Sequence, residues 1–210
     1  MGSGCDQVRI LQELCTLFIV IQTTLTSELQ LYVLPFYSRR FLRLFGSGGL
    51  QRTIVCLKGS PVTMAGRGRF LAVVYHESIP LPDKTQQLGF MLLDGVEGEV
   101  VCTGSLSAVG CGQQLTWIGF SNDYALTVMD SGGMLSMLNK LAGWQWTPML
   151  DTLGKKKSED DSFWPVTVLD GKLICVPLKG GHEHPDATRR PVTTALDLKM
   201  PMANSVLKKR

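Results

Sequence analysis

Residues Leu115 to Pro148 constrain this chain more than any other stretch. They read Leu115-Thr-Trp117-Ile-Gly119-Phe120-Ser121, then Ala125 to Asp130, the turn Ser131-Gly132-Gly133, Met134 to Leu138, and finally Trp144-Gln-Trp146-Thr-Pro148. Short apolar runs broken by turn formers, with an aromatic residue anchoring each end, are how a small antiparallel sheet is written in sequence. Asp130-Ser131-Gly132-Gly133 supplies the tight reversal, because glycine enters positive φ without a steric cost.

The same rhythm recurs from Phe41 onward. Strands are expected at Phe41–Phe45, Thr53–Lys58, Val62–Ala65, Phe70–His76, Leu88–Asp94 and Glu99–Thr103, with Gly, Pro, Asp or Ser in almost every gap. Further runs follow at Leu115–Ser121, Ala125–Asp130, Met134–Leu138, Trp144–Leu150, Phe163–Leu169, Lys172–Pro177 and Val192–Leu198. At four strands per blade this is an all-β, partial β-propeller of about three blades. Propellers close at four or more, and an open edge exposes unpaired backbone groups. Either strands lie unrecognised in residues 1–37, or the chain is a piece of a longer propeller. From Ile10 to Leu34 charge is sparse and no period of 2 or 3.6 stands out, so helix and strand are not separable there. The expected organisation is a divergent segment over 1–37, the propeller region over 38–201 and a basic tail over 202–210.

Composition excludes several classes. With 44% hydrophobic and 19% charged residues the chain is too apolar for wholesale disorder. A net charge of +3, with Lys and Arg scattered, gives no clustered basic stripe for nucleic acid, and no reading helix is evident. The apolar segment Leu14 to Ile21 is far shorter than the ~20 residues of a membrane span. Its flank carries Asp6 and Glu13 against Arg9, which is unlike a signal peptide. The six cysteines are widely and irregularly spaced, which favours reduced thiols over a disulfide framework. Cys56, Cys102 and Cys175 sit in apolar strand-like runs, where Cys behaves as a small buried hydrophobe.

No catalytic, cofactor-binding or metal-binding residue is expected. His182-Glu-His184 follows Cys175, but no second short-spaced ligand pair exists, and a surface loop is favoured over zinc. Asp130, Ser131 and a histidine could form a triad on paper, yet no Gly-x-Ser-x-Gly elbow is present and Ser131 is needed in a turn. Gly46-Ser-Gly-Gly49 precedes a strand-like run and reads as a turn, whereas a phosphate loop opens a helix. Lys155-Lys-Lys157 is largely cancelled by Glu159-Asp-Asp161, giving a self-neutralised polar loop. Arg67-Gly-Arg69 is an exposed turn whose guanidinium donors are either solvated or turned to a carboxylate or phosphate. Trp117 and Trp146 are expected to wedge neighbouring sheets. Trp144 and Trp164 could instead alternate toward an exposed, interface-forming side, with core packing the default for all four.

Taken in order, these motifs resemble a known family. Trp117-Ile-Gly-Phe-Ser121, Val128-Met-Asp-Ser-Gly-Gly-Met-Leu-Ser-Met-Leu138 and Trp146-Thr-Pro148 are similar to the second, SepB-like propeller of a replisome adaptor family. It is called the WD-repeat and HMG-box DNA-binding protein family, or chromosome transmission fidelity factor four. The resemblance continues upstream in Arg40-Phe-Leu-Arg-Leu44, Gly59-Ser-Pro-Val-Thr-Met-Ala-Gly66 and Leu71-Ala-Val-Val-Tyr-His76. Downstream it takes in Phe163-Trp164, Leu173 to Gly180 and Arg190 to Pro201. The family-motif positions, expected to be structural, are Trp117, Gly119, Phe120, Ser121, Asp130, Ser131, Gly132, Trp146 and Pro148.

The resemblance implies a non-enzymatic hub of DNA replication in the nucleus, without cofactor or membrane contact. Family members look like homotrimers that couple the GINS-containing replicative helicase to DNA polymerase alpha, with DNA contact indirect or weak. The chain is expected to be a fragment of such an adaptor, lacking its WD-repeat propeller, helical bundle and HMG box. A generic β-propeller interaction module unrelated to replication is the alternative. An enzyme using a propeller channel would need clustered His and carboxylates at strand ends.

Overall fold

A computed structural model describes residues 8–13, 16–21, 29–36, 39–45, 49–83, 85–186 and 190–199, with side chains from residue 41 onward. The architecture is all-β. The chain divides into two compact units, Met1–Leu81 with Gln86–Leu106, and Pro82–Thr85 with Ser107–Arg210. The first unit carries β1 (Val8–Glu13), β2 (Thr16–Ile21), β3 (Leu29–Phe36), β4 (Arg39–Phe45) and β5 (Gln51–Leu57) in one antiparallel sheet. Its second sheet is β6 (Ser60–Arg67), β7 (Phe70–His76), β8 (Leu88–Asp94) and β9 (Glu99–Ser105). The second unit holds β10 (Leu115–Phe120), β11 (Leu126–Asp130), β12 (Met134–Asn139) and β13 (Gln145–Asp151) in one sheet. Beside it lies a three-stranded sheet of β14 (Ser162–Leu169), β15 (Lys172–Leu178) and β16 (Thr194–Asp197).

Every sheet is a meander in chain order, which short turn-bounded runs dictate. The thirteen runs read from the sequence are β4 to β16, and β1 to β3 lie ahead of them in the segment without a legible period. Those strands form one sheet with β4 and β5, so residues 1–37 hold strands that the pattern did not show. Cys5, Cys15, residues 46–48 of the glycine-rich turn and the basic tail lie outside the described residues. A strand, β5, follows the glycine-rich segment, where a phosphate loop would need a helix.

Within each unit two sheets pack face to face. In the first, Leu42, Leu44 and Leu57 of one sheet meet Met64, Leu71, Val73, Tyr75, Met91 and Leu93 of the other. Leu71, Val73 and Tyr75 share a face because strand side chains alternate, and Val73 stands opposite Met91 in the ladder. All seven residues of β8 are buried, so Leu-Gly-Phe-Met-Leu-Leu-Asp reads as a continuous apolar run without alternation. Tyr75 is fully buried because Gly89 opposite leaves room for its ring, and its hydroxyl meets Thr103 Oγ1 at 3.4 Å. In the second unit Met129, Leu135 and Leu150 pack on Val168, Leu173 and Cys175, flanked by Trp117, Met137 and Phe163.

Successive sheets also meet near their starts. β2, second in its sheet, approaches β6 in the first unit, and in the second unit β10 approaches β14. Ser121, just after β10, bridges Val168 in parallel, and Asn122 N donates to Val168 O at 3.2 Å. Antiparallel meanders stacked on their faces in chain order are the blades of a propeller. The fold is thus a partial β-propeller, as the strand rhythm predicted.

A buried carboxylate fixes the far end of β8. Arg69, in the turn after Arg67 and Gly68, donates through Nε to Asp94 Oδ2 at 2.6 Å, and its Nη2 also pairs with that oxygen. Asp94 Oδ1 takes the amides of Val96 and Glu97 at 3.0 and 3.3 Å, closing the turn into β9. Of the two arginines expected on that turn, Arg69 therefore finds its carboxylate inside the same unit. Burial opposes ionisation of Asp94, but the Arg69 hydrogen bond and the two amides outweigh it and hold the carboxyl below its ordinary range.

Removing this acceptor strands three donors, so Asp94→Ala is expected to cost about 2 kcal/mol. All four tryptophans lie in the second unit, so hydrogen exchange at β8 amides is the suitable readout. Because the folded carboxyl lies below its unfolded value of ~3.9, its contribution is present above that pH and is lost as pH falls through the folded value. The stability gap between wild type and Asp94→Asn should accordingly close in acid.

Candidate interaction surface

The richest concentration of family-motif residues lies around β10 to β12. Asp130 ends β11 and is buried. Its Oδ1 accepts the Met134 amide at 2.9 Å, its Oδ2 accepts the Gly110 amide at 3.4 Å, and its carbonyl accepts Gly133 N at 3.0 Å. Ser131 Oγ donates to Gln113 Oε1 at 2.6 Å and accepts from Gln114 N at 3.0 Å. Gly132 lies against Asp130 and Gln113 in the same turn. Gly133 has φ +83°, and a Cβ there would strike Thr152 Oγ1. Thr152, itself buried, donates both its amide and its hydroxyl to Gly133 O, at 3.0 and 2.8 Å. The turn is a latch, closed by the carboxylate of Asp130 and the hydroxyls of Ser131 and Thr152.

The other motif positions lie in or beside the strands of the same sheet. The Trp117 ring covers Gly119, where any Cβ would collide with it. Gly119 O accepts Thr127 Oγ1 at 3.0 Å, and Phe120 is buried. Ser121 Oγ accepts the Ala125 amide at 3.1 Å, while Ser121 N donates to Ala125 O at 2.9 Å, closing the reversal into β11. In β13, Trp146 stands opposite Leu138 and Pro148 opposite Ser136. Pro148 is exposed.

Beside the latch opens a cleft of about 370 Å³ between the two sheets of this unit. Its walls include Trp117, Asp130, Lys156, Phe163, Trp164 and His184. Trp164 is 40% exposed and stands edge-on to His184, their ring centroids 5.2 Å apart. Trp144 is half-buried, with Lys140 Nζ 5.7 Å from its ring centroid. Of the two tryptophans read as possible surface anchors, Trp164 is thus the more available. Trp117 packs into the core between the sheets, as expected of a wedge.

The cleft holds Asp130, Ser131 and His184, the types needed for a triad, but does not connect them. Ser131 is bonded to Gln113 and Gln114, Asp130 to amides, and His184 faces Trp164. A nucleophile without a base at hydrogen-bond distance is not activated. Among the described residues no group of three His, Cys, Asp or Glu side chains could hold a metal. Cys175 is buried, and burial pushes its thiol up to about 11, so the thiolate a metal requires is suppressed. Cys56 departs from its expected burial. It lies exposed on β5, whose outer face also carries exposed Ile54. Among the described residues no helix is long and apolar enough to cross a membrane.

A Cβ at Gly133 demands both a strained φ and displacement of Thr152. Gly133→Ala should therefore lower stability by at least ~1–2 kcal/mol, whereas Gly154→Ala, with open space around it, should stay near neutral. Urea unfolding followed by tryptophan fluorescence distinguishes the two. Thiol labelling of the native chain near neutral pH, mapped by peptide, should modify exposed Cys56 and Cys111 well before Cys175.

Residues 21–202 match the family model of the minichromosome loss protein Mcl1 middle region. Protein ENHANCER OF LHP1 1 of Arabidopsis thaliana is 36% identical over 170 residues, covering 81% of this chain and 18% of that protein. WD repeat and HMG-box DNA-binding protein 1 of Mus musculus is 35% identical over 171 residues, covering 80% of this chain and 15% of the relative. Minichromosome loss protein 1 of Schizosaccharomyces pombe is 29% identical over 174 residues, 80% of this chain and 21% of its own length. The chain therefore spans only a small part of each relative.

Proposed function

We infer that this chain, which belongs to the minichromosome loss protein Mcl1 middle-region family, is a non-enzymatic interaction domain of a DNA-replication adaptor. The family match over most of the chain carries this reading, and the relatives' names, which join WD repeats, DNA binding and minichromosome loss, agree with it. The polar chemistry of the second unit supports it from the other side. Asp130, Ser131, Ser121 and Thr152 are spent on closing turns, leaving a rigid sheet pair with an aromatic-edged cleft.

In this reading the domain acts in the nucleus, on chromatin. Its partners are the GINS-containing helicase and DNA polymerase alpha, and DNA itself is contacted weakly or through those proteins. The family-motif residues Trp117, Gly119, Phe120, Ser121, Asp130, Ser131, Gly132, Trp146 and Pro148 act by holding blade geometry and touch no client directly. Copies assembled as a homotrimer would present several weak contacts at once. Avidity then comes from effective concentration, with no single strong contact required.

Affinity recovery of the tagged chain from replicating cells tests this. Quantitative mass spectrometry should find helicase and polymerase alpha subunits enriched over a non-replicating control, and light scattering should return a trimer mass. A folded, monodisperse chain that enriches neither complex would refute the adaptor reading and leave a generic interaction module.

A further inference from the structure

We propose that Ser158 is a phosphorylation site for an acid-directed serine kinase, the class whose basic substrate groove reads carboxylates on the residues following its target. Ser158 is exposed between β13 and β14 and is followed by Glu159, Asp160 and Asp161. All three following positions are thus carboxylates. Among the described residues, only Thr127, Thr167 and Thr194 share with it an acidic residue three positions on. Those three are closed off by the fold. Thr127 is fully buried in β11 and donates to Gly119 O, Thr167 is paired with Ile174 in β14, and Thr194 is paired with Cys175 in β16. Kinases bind their substrates as extended, unpaired segments, so a residue in a ladder is not presented.

On the acidic side of Ser158 the contacts are few and exposed. Asp161 Oδ2 accepts the amides of Lys157 and Ser158 at 3.3 and 3.2 Å, Asp161 N donates to Ser158 O at 3.1 Å, and Asp160 O accepts Gly181 N at 3.0 Å. The two carboxylate contacts are long and solvent-exposed, hence cheap to break, and kinase binding must also release the single Asp160–Gly181 bond. The basic side is different. Lys155 ends the 3₁₀ turn Leu153–Lys155 and Lys156 caps it, their amides bonding Thr152 O and Leu153 O. That turn is anchored by Thr152, which is buried and doubly bonded to Gly133 O. A kinase reading basic residues ahead of the serine would have to unwind it. The fold therefore presents the carboxylates and holds back the lysines.

The reaction transfers the γ-phosphoryl group of ATP. A bond forms from Ser158 Oγ to phosphorus, the bond to the ADP oxygen breaks, and the hydroxyl proton passes to the kinase's base. The consequence is electrostatic. Lys155, Lys156 and Lys157 are formally balanced by Glu159, Asp160 and Asp161. A phosphoserine adds about −1.5 to −2 charges, so a neutral loop becomes an acidic one. Because Lys156 lines the cleft beside Trp164, that change falls at the cleft's rim.

The test incubates the full chain with an acid-directed casein kinase and ATP and maps phosphate by mass spectrometry. Incorporation should fall on Ser158, be lost in Ser158→Ala, and drop sharply in the Glu159→Gln/Asp161→Asn double variant. Lys155→Ala/Lys157→Ala should still be modified. Circular dichroism of each variant confirms that the sheets persist. Phosphate on Thr167 or Thr194, no incorporation into folded wild type, or dependence on the lysines with indifference to the carboxylates would each overturn the assignment. Since the assay uses only the purified chain and kinase, its failure leaves the adaptor reading untouched.

Discussion

A four-stranded meander has two faces and too few residues to cover either of them. That constraint organises this molecule. β8 is buried at every position and β11 likewise, which is possible only where a sheet is overlaid. In the first unit Leu42, Leu44 and Leu57 cover Leu71, Val73, Tyr75 and Leu93; in the second Met129, Leu135 and Leu150 cover Val168, Leu173 and Cys175. Burying side chains of this kind stabilises by about 1.5–3 kcal/mol each, offset against the entropy of ordering the chain. No sheet here could do that alone, and stacking is therefore built into the pattern.

Stacking by itself does not fix how each sheet reverses at its turns, and the polar residues do that. Asp94 and Asp130 sit at the ends of strands and turn buried carboxylates onto the amides of the chain reversal that follows. Each converts a backbone donor that would otherwise be costly to bury into a positioned one. Ser121 and Thr152 do the same with hydroxyls. These are the side chains a search for chemistry would pick out first. In the second unit Asp130, Ser131, Ser121 and Thr152 are engaged in closing turns.

Legibility followed the same division. Turn-bounded apolar runs identified β4 to β16, because glycine, proline and aspartate mark reversals whatever the neighbours do. The Asp170-Gly171 turn between β14 and β15, with φ of 48° and 70°, carries an equally local signal. β1 to β3 were not legible, since Ile10 to Leu34 has too few polar residues to show which side faces a core. Cys56 misled for a related reason. An apolar run shows that a strand is present, but an outer strand such as β5 exposes half of it. The cleft beside Trp164 was invisible in sequence, because its walls come from strands and loops scattered between residues 116 and 184.

The order of residues by itself determined β4 to β16, their reversals and the family to which the chain belongs, because each rests on local runs and motifs along the chain. Only the tertiary structure decided which polar groups are spent and which are offered. It tied Asp130 and Ser131 into a latch, turned Arg69 onto Asp94, and sealed Thr127 in a ladder while leaving Ser158 in solvent. Hydrogen-bond partners and burial depend on groups distant along the chain, and a one-dimensional pattern holds no record of them.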